Sequence, residues 1–173
     1  PRPGPATPPR RAVAEAGSVT AFPELAPKSL EDLVTNCPLL FGPRDVPDPA
    51  EGDVLARLQV ARVNAARLGL EAHAGRWKVG RFDPAGAADV AGLVVRAAEA
   101  AADLYTGRNG AVDAARLRPW FEERVRVAKW YETIVLARAE AGTEAAGAVA
   151  VARMARLEAE IALLRLLGRG RAG

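Results

Sequence analysis

The stretch VLARLQVARVNAARLGLEA (residues 54–72) decides the fold of this chain. Its apolar side chains recur at alternating steps of four and three residues, at Val54, Leu58, Ala61, Ala65, Leu68 and Ala72. This spacing aligns them along one side of an α-helix. The stretch therefore predicts a long amphipathic helix whose apolar seam packs against other helices.

Three further segments repeat this apolar spacing. They are a second helix with Val90, Val94, Ala97, Ala101 and Leu104, a third with Phe121, Val125, Val127, Ala128, Tyr131, Ile134, Val135 and Ala139, and a last with Ala150, Met154, Leu157, Ile161 and Leu164. Residues that start or end helices separate these segments. Asp48-Pro49 and Asp83-Pro84 each offer an N-cap followed by a first-turn proline, and Gly142 stands where a C-cap is expected. Because proline is tolerated only in a first turn, Pro119 predicts either a turn at 111–117 before the third helix or a kink within it.

These segments predict an all-α fold, an elongated antiparallel four-helix bundle built of two helical hairpins. The hairpins span 49–105 and 113–167, and a basic tail follows at 168–173. Eleven of the 13 prolines lie in the first 49 residues, so residues 1–48 are expected to form a Pro-rich, extended arm. Ser29 followed by Glu31 and Asp32 predicts one short helix near 30–36 within that arm.

Composition excludes several classes of protein. With 173 residues, one cysteine and one histidine, the chain has no intrachain disulfide framework and no cysteine- or histidine-rich metal centre. No apolar run approaches the roughly 18 residues of a membrane-spanning helix. The 24 basic residues exceed the 21 acidic ones by three, which matches the three arginines after Leu164, a stretch without an acid: Arg165, Arg169 and Arg171. Elsewhere acids interleave with arginines, which makes nucleic acid an unlikely partner.

Candidate catalytic residues are few. His73 has only Glu71 nearby, and residues two apart on a helix point away from each other. Cys37 is interpreted as a packed side chain, with a thioether or mixed disulfide as the alternative. The carboxylates of Glu122, Glu123, Glu132, Glu158 and Glu160 suit solvated ion pairs better than a metal site, since bundle metal sites add a Glu-x-x-His element. We therefore expect no enzyme activity, no cofactor and no metal.

Two helix ends carry a resemblance to a known family. Arg76-Trp77-Lys78-Val79-Gly80 and Arg138-Ala139-Glu140-Ala141-Gly142 each precede an Ala-rich helix, the second ending LEAEIALL (157–164). This pattern resembles the periplasmic hairpins of TolC-type outer-membrane efflux proteins, and SLEDL (29–33) with NCP (36–38) resembles the opening segment of that family. ARVNAAR (61–67) and ARMARLEAEIALLR (152–165) are similar to Ala/Arg-rich helical-repeat proteins of planctomycete-type bacteria. The resemblance implies a helical hairpin in the cell envelope, without transport activity.

Three function classes follow: an assembly subunit, a binder of nucleic acid or anionic surfaces, and an enzyme. We favour the first, a non-catalytic helical subunit that docks on a larger protein complex or on a second copy of itself. Its arm carries apolar residues that a bundle of this width is not expected to cover fully, and aromatic residues stand at the first hairpin tip. The predicted partner contacts are Phe22, Leu25, Leu39, Leu40, Phe41, Trp77 and Phe82. The resemblance places the protein in the periplasm or cell envelope. The start at Pro1 instead of Met suggests a processed or trimmed chain, so a cytoplasmic location stays open.

Overall fold

The computed structural model describes residues 20–42, 46, 53–79, 84–106 and 110–169. These residues are mostly helical, and the predicted all-α helical bundle is confirmed. The elements in chain order are a 3₁₀ turn at Pro23–Leu25, α1 at Leu30–Thr35, α2 at Pro38–Phe41, α3 at Val54–Lys78, α4 at Pro84–Leu104, α5 at Ala114–Glu140 and α6 at Ala146–Arg169. Within these ranges the sole β feature is an isolated bridge between Thr106 and Val112.

The long helices pack as two hairpins joined side by side. Helix α3 packs extensively along α4, and α5 packs along α6, as the connections between them require. The hairpins meet where α4 lies against α5. Each long helix thus packs mainly against its sequence neighbours, which leaves α3 and α6 at the two outer edges.

The main core lies between α3, α4 and α5, under the arm. The predicted apolar faces of α4 and α5 are correct, since Val90 and Val94 of α4 and Val127 of α5 are fully buried in this core. A second, smaller cluster lies between α5 and α6, where Val125 packs with Leu163.

The part of the arm that the structure describes folds back onto the bundle. Helix α1 packs on α5, α2 packs on both α3 and α5, and the 3₁₀ turn packs on α5. The short helix predicted near 30–36 is confirmed at Leu30–Thr35, with the Ser29 side-chain oxygen accepting a hydrogen bond from the Asp32 N–H at 3.0 Å. Helix α1 ends at Thr35, and Pro38 is the first residue of α2, where its fixed φ suits a helix start.

The starts of α3 and α5 differ from the predicted ones. The predicted N-cap at Asp48-Pro49 lies outside the described residues, and α3 begins at Val54 with Asp53 Oδ1 accepting the Ala56 N–H at 3.0 Å. Helix α5 starts at Ala114 and runs through Pro119 as one helix, so the predicted turn at 111–117 is wrong. The Asp113 carboxylate caps that earlier start by accepting the Arg116 N–H at 3.1 Å.

The turn from α5 to α6 follows the predicted glycine signal. Gly142 has a φ of 73°, a left-handed conformation that glycine adopts without strain. The Thr143 N–H donates to the Arg138 carbonyl at 2.9 Å and the Gly142 N–H to the Ala139 carbonyl at 3.1 Å, a Schellman cap. Helix α6 runs to Arg169, two residues into the predicted tail, and residues 170–173 lie outside the described ranges.

Candidate protein-binding surfaces

The predicted apolar seam of α3 faces solvent. Val54 and Leu68 are each 68% exposed and Leu58 is 64% exposed. Ala61, Ala65 and Ala72 are exposed as well. The expectation that this seam packs within the bundle is therefore wrong.

The reason is that α3 has two apolar faces. Its buried face consists of Val60, Val63, Leu70 and Ala74, which pack into the molecule. These residues also recur at helical spacing, roughly opposite the predicted seam. Periodicity alone does not tell which of two apolar faces turns inward, and the inward face here carries the branched Val60 and Val63.

Helix α6 shows the same inversion. Its predicted seam leaves Met154 57%, Ile161 45% and Leu164 49% exposed. The residues that α6 turns toward the bundle are Val149, Ala152, Ala159, Leu163 and Leu166. Both outer helices therefore present an apolar stripe on the side away from the core.

The two exposed stripes have the spacing of coiled-coil seams. From Val54 to Ala72 and from Ala150 to Leu164 the apolar positions alternate at steps of four and three, which is the a/d pattern of a seven-residue repeat. We call the first set (Val54, Leu58, Ala61, Ala65, Leu68, Ala72) the α3 seam and the second set (Ala150, Met154, Leu157, Ile161, Leu164) the α6 seam. In coiled coils such seams are covered by a second helix.

Charged side chains flank the α3 seam. Arg57 and Glu71 lie beside it and are exposed, and among the described residues neither side chain has an ion-pair partner. Arg62, on the other flank, is held by α4, with NH1 3.2 Å from Asp103 Oδ2 and NH2 3.6 Å from Glu99 Oε2. One flank thus carries two charges that no described side chain neutralises.

The arm residues predicted as partner contacts are covered by the chain itself. Leu25 is buried in the α5–α6 cluster and Leu40 in the main core. Phe22 packs half-buried against the α5–α6 cluster, and Leu39 and Phe41 pack half-buried against the main core. Leu25 and Leu40 therefore stabilise the bundle from inside, whereas the role of Phe22, Leu39 and Phe41 as partner contacts stays a prediction.

The tip residues cannot be placed. Trp77 belongs to α3 by its backbone, but its side chain lies outside what the structure describes, as does the whole of Phe82. Their predicted role as partner contacts stays a prediction.

A buried carboxylate and a buried arginine hold α2 by its two ends. Glu123 of α5 accepts hydrogen bonds from the backbone N–H groups of Leu39 and Leu40, at 3.0 and 2.9 Å. Arg67 of α3 donates from NH2 to the carbonyl of Gly42 at 2.7 Å, just past the end of α2. A negative charge at the start and a positive charge at the end of a helix are both favourable orientations.

Burial dominates the titration of this region. It raises the pKa of Glu123 to about 7, although the two backbone N–H donors and the nearby arginines oppose the rise. Burial likewise raises the pKa of the Cys37 thiol well above its usual range. Since a thiolate is the reactive form of cysteine, Cys37 acts as a small packed side chain.

A second buried ionic cluster joins α5 to α6 and to the start of the described arm. Lys129 Nζ lies 2.8 Å from Glu160 Oε1, and Arg156 NH1 lies 3.0 Å from Glu160 Oε2. Glu132 accepts from both Arg156 Nε at 2.5 Å and Arg153 Nε at 3.1 Å. The prediction of solvated ion pairs is wrong for Glu123, Glu132 and Glu160, because the packed elements around them cover all three side chains. Glu158, in contrast, is exposed.

Thr20 ties the arm to this cluster. Its hydroxyl donates to Glu160 Oε1 at 2.8 Å and accepts from Lys129 Nζ at 2.5 Å. Burial alone would raise the pKa of Glu160, but the hydrogen bonds from Lys129, Thr20 and the Ala21 N–H outweigh it and hold that pKa below its ordinary value. The ion pairs and hydrogen bonds of this cluster therefore hold the start of the described arm against α5 and α6.

Within the described residues no three His, Cys, Asp or Glu side chains are placed to hold a metal ion. His73 lies half-buried on α3. Nor does any helix in the described ranges combine the length and apolar character needed to cross a bilayer.

Comparison with known proteins adds no relative. No family model, curated protein or solved structure matches this chain. The functional argument therefore depends on the surfaces described above.

Proposed function

We propose that this protein is a non-catalytic helical assembly subunit that docks on a larger protein complex through the outer faces of α3 and α6. The observation that carries the proposal is the exposure of Val54, Leu58 and Leu68, each more than 60% exposed, on a heptad-spaced seam. Soluble proteins rarely leave contiguous apolar stripes of this kind in water unless they mark an interaction site.

The spacing of the seams defines the chemistry of the partner. An a/d stripe is complementary to another amphipathic helix that presents its own a/d residues. Ala61 and Ala65 are adjacent in the α3 seam and lie between Leu58 and Leu68, so the partner helix can approach closely at the two alanines. The partner is thus a helical protein surface with apolar residues at heptad spacing.

The distribution of arginines favours a protein partner over a polyanion. Among the described residues, Arg62, Arg116 and Arg118 are exposed or half-exposed and each lies within ion-pair distance of an acid. Binding of a phosphate backbone would have to break these pairs. The alternative of a nucleic-acid or anionic-surface binder has no comparable observation behind it.

The absence of enzyme activity and the envelope location belong to the same proposal. Cys37 and Glu123 are both buried groups with raised pKa values, and they lie at the start of α2, covered by the surrounding helices. A periplasmic or envelope location is supported only by the resemblance of the hairpin ends to TolC-type proteins.

The test is whether assembly depends on the seams. The full chain and three variants would be expressed in the source cells, cross-linked, and the size of the cross-linked complexes measured. Leu58→Glu alters the α3 seam, Ile161→Glu alters the α6 seam, and Ala137→Glu on the exposed side of α5 is the matched control. We expect a seam variant to lose the high-mass complex while its circular dichroism and that of the control stay unchanged. Complexes of the same size from all four proteins would refute the proposal.

A further inference from the structure

We propose that the partner of the α3 seam is a second copy of this chain, bound antiparallel across a two-fold axis that passes opposite Val63. This inference rests on the proposed function, since it names the occupant of one of the two seams. Isologous contacts of this kind require a surface that is complementary to itself. The α3 seam meets that requirement in side-chain size and in charge.

The seam pairs residue by residue in this register. In an antiparallel coiled coil each a position of one helix lies beside a d position of the other. With the axis opposite Val63, Leu58 meets Leu68 of the second copy, and Ala61 meets Ala65 of the second copy. Val54 meets Ala72 in the outermost layer. One leucine layer on each side thus flanks two central layers of paired alanines. The small alanine side chains allow the two helices to approach closely.

The charged side chains beside the α3 seam favour the same register between the two copies. Arg57 and Glu71 lie on the same flank of the seam, and this register places each of them beside the other in the second copy. The two-fold axis forms that pair twice. Both side chains are exposed and have no ion-pair partner among the described residues, so they are available to each other without breaking a bond.

The opposite flank is compatible with this contact. Leu55 is 68% exposed and lies level with Gly69 of the second copy, where the Leu93 side chain of α4 packs against the glycine, so this layer is apolar on both sides. Arg62 faces its own counterpart near the axis, and Asp103 and Glu99 of α4 neutralise each of the two guanidinium groups. No uncompensated like-charge pair is formed along the α3 contact.

The α6 seam lacks this self-complementarity. Antiparallel pairing of its a and d layers, with Met154 beside Leu164 and Leu157 beside Ile161, places Glu158 beside its own counterpart. Glu158 is exposed, and Arg124 of α5 acts on it electrostatically, much as the α4 acids act on Arg62. The same register sets Val151 beside Arg165 of the second copy, so no flank position of α6 places an acid beside a base. The second copy is therefore assigned to α3, whose flank forms such a pair twice, and not to α6.

The oligomeric state of the purified full chain tests the inference. Sedimentation velocity over a concentration series should show a dimer that dissociates to monomer on dilution. Glu71→Arg and Arg57→Glu should each raise the dissociation constant roughly tenfold, since each replaces two attractive contacts by two repulsive ones. The double variant Arg57→Glu/Glu71→Arg should restore the dimer. Glu158→Arg, the matched charge reversal beside the α6 seam, should leave it unchanged.

The outcomes separate this inference from the proposed function. A monomeric chain at high concentration overturns the dimer, and so does a dimer that is insensitive to both single reversals. A dimer that Ile161→Glu dissociates and Leu58→Glu does not instead assigns the contact to α6 and equally overturns the inference. In each of these cases the proposed function stands if Ile161→Glu still removes the high-mass complex in cells.

Discussion

The Glu123 carboxylate on α5 accepts the backbone N–H of Leu40, 83 residues earlier in the chain, at 2.9 Å. A second oxygen of the same side chain accepts the Leu39 N–H at 3.0 Å. Because α2 has only four residues, its N-terminal N–H groups have no intrahelical partners, and Glu123 supplies them from another helix. With Arg67 bound at the other end, the position of α2 is fixed by two long helices at once.

This relationship predicts an unusual pH dependence of stability. Glu123 has an ordinary pKa of 4.5 and a pKa of about 7 in the folded protein, so the folded state binds the proton more tightly than the unfolded state. Its contribution is therefore fully present below pH 4.5 and is lost as the pH rises through about 7. The shift of about 2.5 units corresponds to about 3 kcal/mol.

Urea denaturation of the full chain and of Glu123→Gln, followed by circular dichroism between pH 4.5 and 8, measures this contribution. The difference in unfolding free energy between the two proteins should change by about 3 kcal/mol across that range, with the wild type losing stability as the pH rises. Parallel curves for the two proteins would show that Glu123 does not titrate there.

The ionic cluster predicts energetic coupling between Lys129 and Glu160. Their side chains lie 2.8 Å apart and are 7% and 4% exposed. Removing one partner leaves the other charge buried, so Lys129→Met should lower the free energy of unfolding by about 3 kcal/mol. In a double-mutant cycle with Glu160→Gln the two losses should fall short of additivity by at least about 1 kcal/mol. Strict additivity would mean that the pair makes no net interaction.

The sequence predicted the four long helices, but for α3 and α6 it did not predict which face is buried. Capping and breaking signals located α1, the start of α4 at Pro84 and the cap at Gly142, because these are local effects of backbone geometry. The inner helices were also predicted correctly, since α4 and α5 each have one dominant apolar face. On α3 and α6 two apolar faces compete, and only the tertiary arrangement selects between them.

The burial of Glu123 and Glu160 was not predicted, because it also depends on the tertiary arrangement. Glu123 and Glu160 look like ordinary members of Arg/Glu-rich helices, as do half-buried Glu122 and exposed Glu158. Their burial comes from partners far away in the chain, namely Leu40 for Glu123 and Thr20 for Glu160. A signal was nevertheless present, because both glutamates lie on the same helix faces as buried apolar residues such as Val127 and Leu163.

Cys37 is predicted to be unreactive in the folded protein. It is fully buried, and burial raises the pKa of its thiol, so the reactive thiolate is suppressed. Its reaction with an aromatic disulfide reagent at pH 8 should be at least about a hundredfold slower in buffer than in denaturant. In a Cys37→Ser background, Thr133→Cys on exposed α5 should react at the denatured rate. Rapid native labelling of Cys37 would reopen the thioether and mixed-disulfide interpretation.

The arm is predicted to stabilise the bundle. Deletion of residues 1–28 removes the part of the arm that packs against α5 and the α5–α6 cluster. In the structure that deletion uncovers Leu163 beneath Leu25 and removes two hydrogen-bond donors to buried Glu160. We therefore expect a loss of about 3 kcal/mol in unfolding free energy, similar to that from Leu25→Ala in the full chain. Denaturation of both proteins, with a chain beginning at Thr20 as the control that keeps all described contacts, measures this. A deletion as stable as the control would mean that the arm lies on the bundle without contributing to its folding.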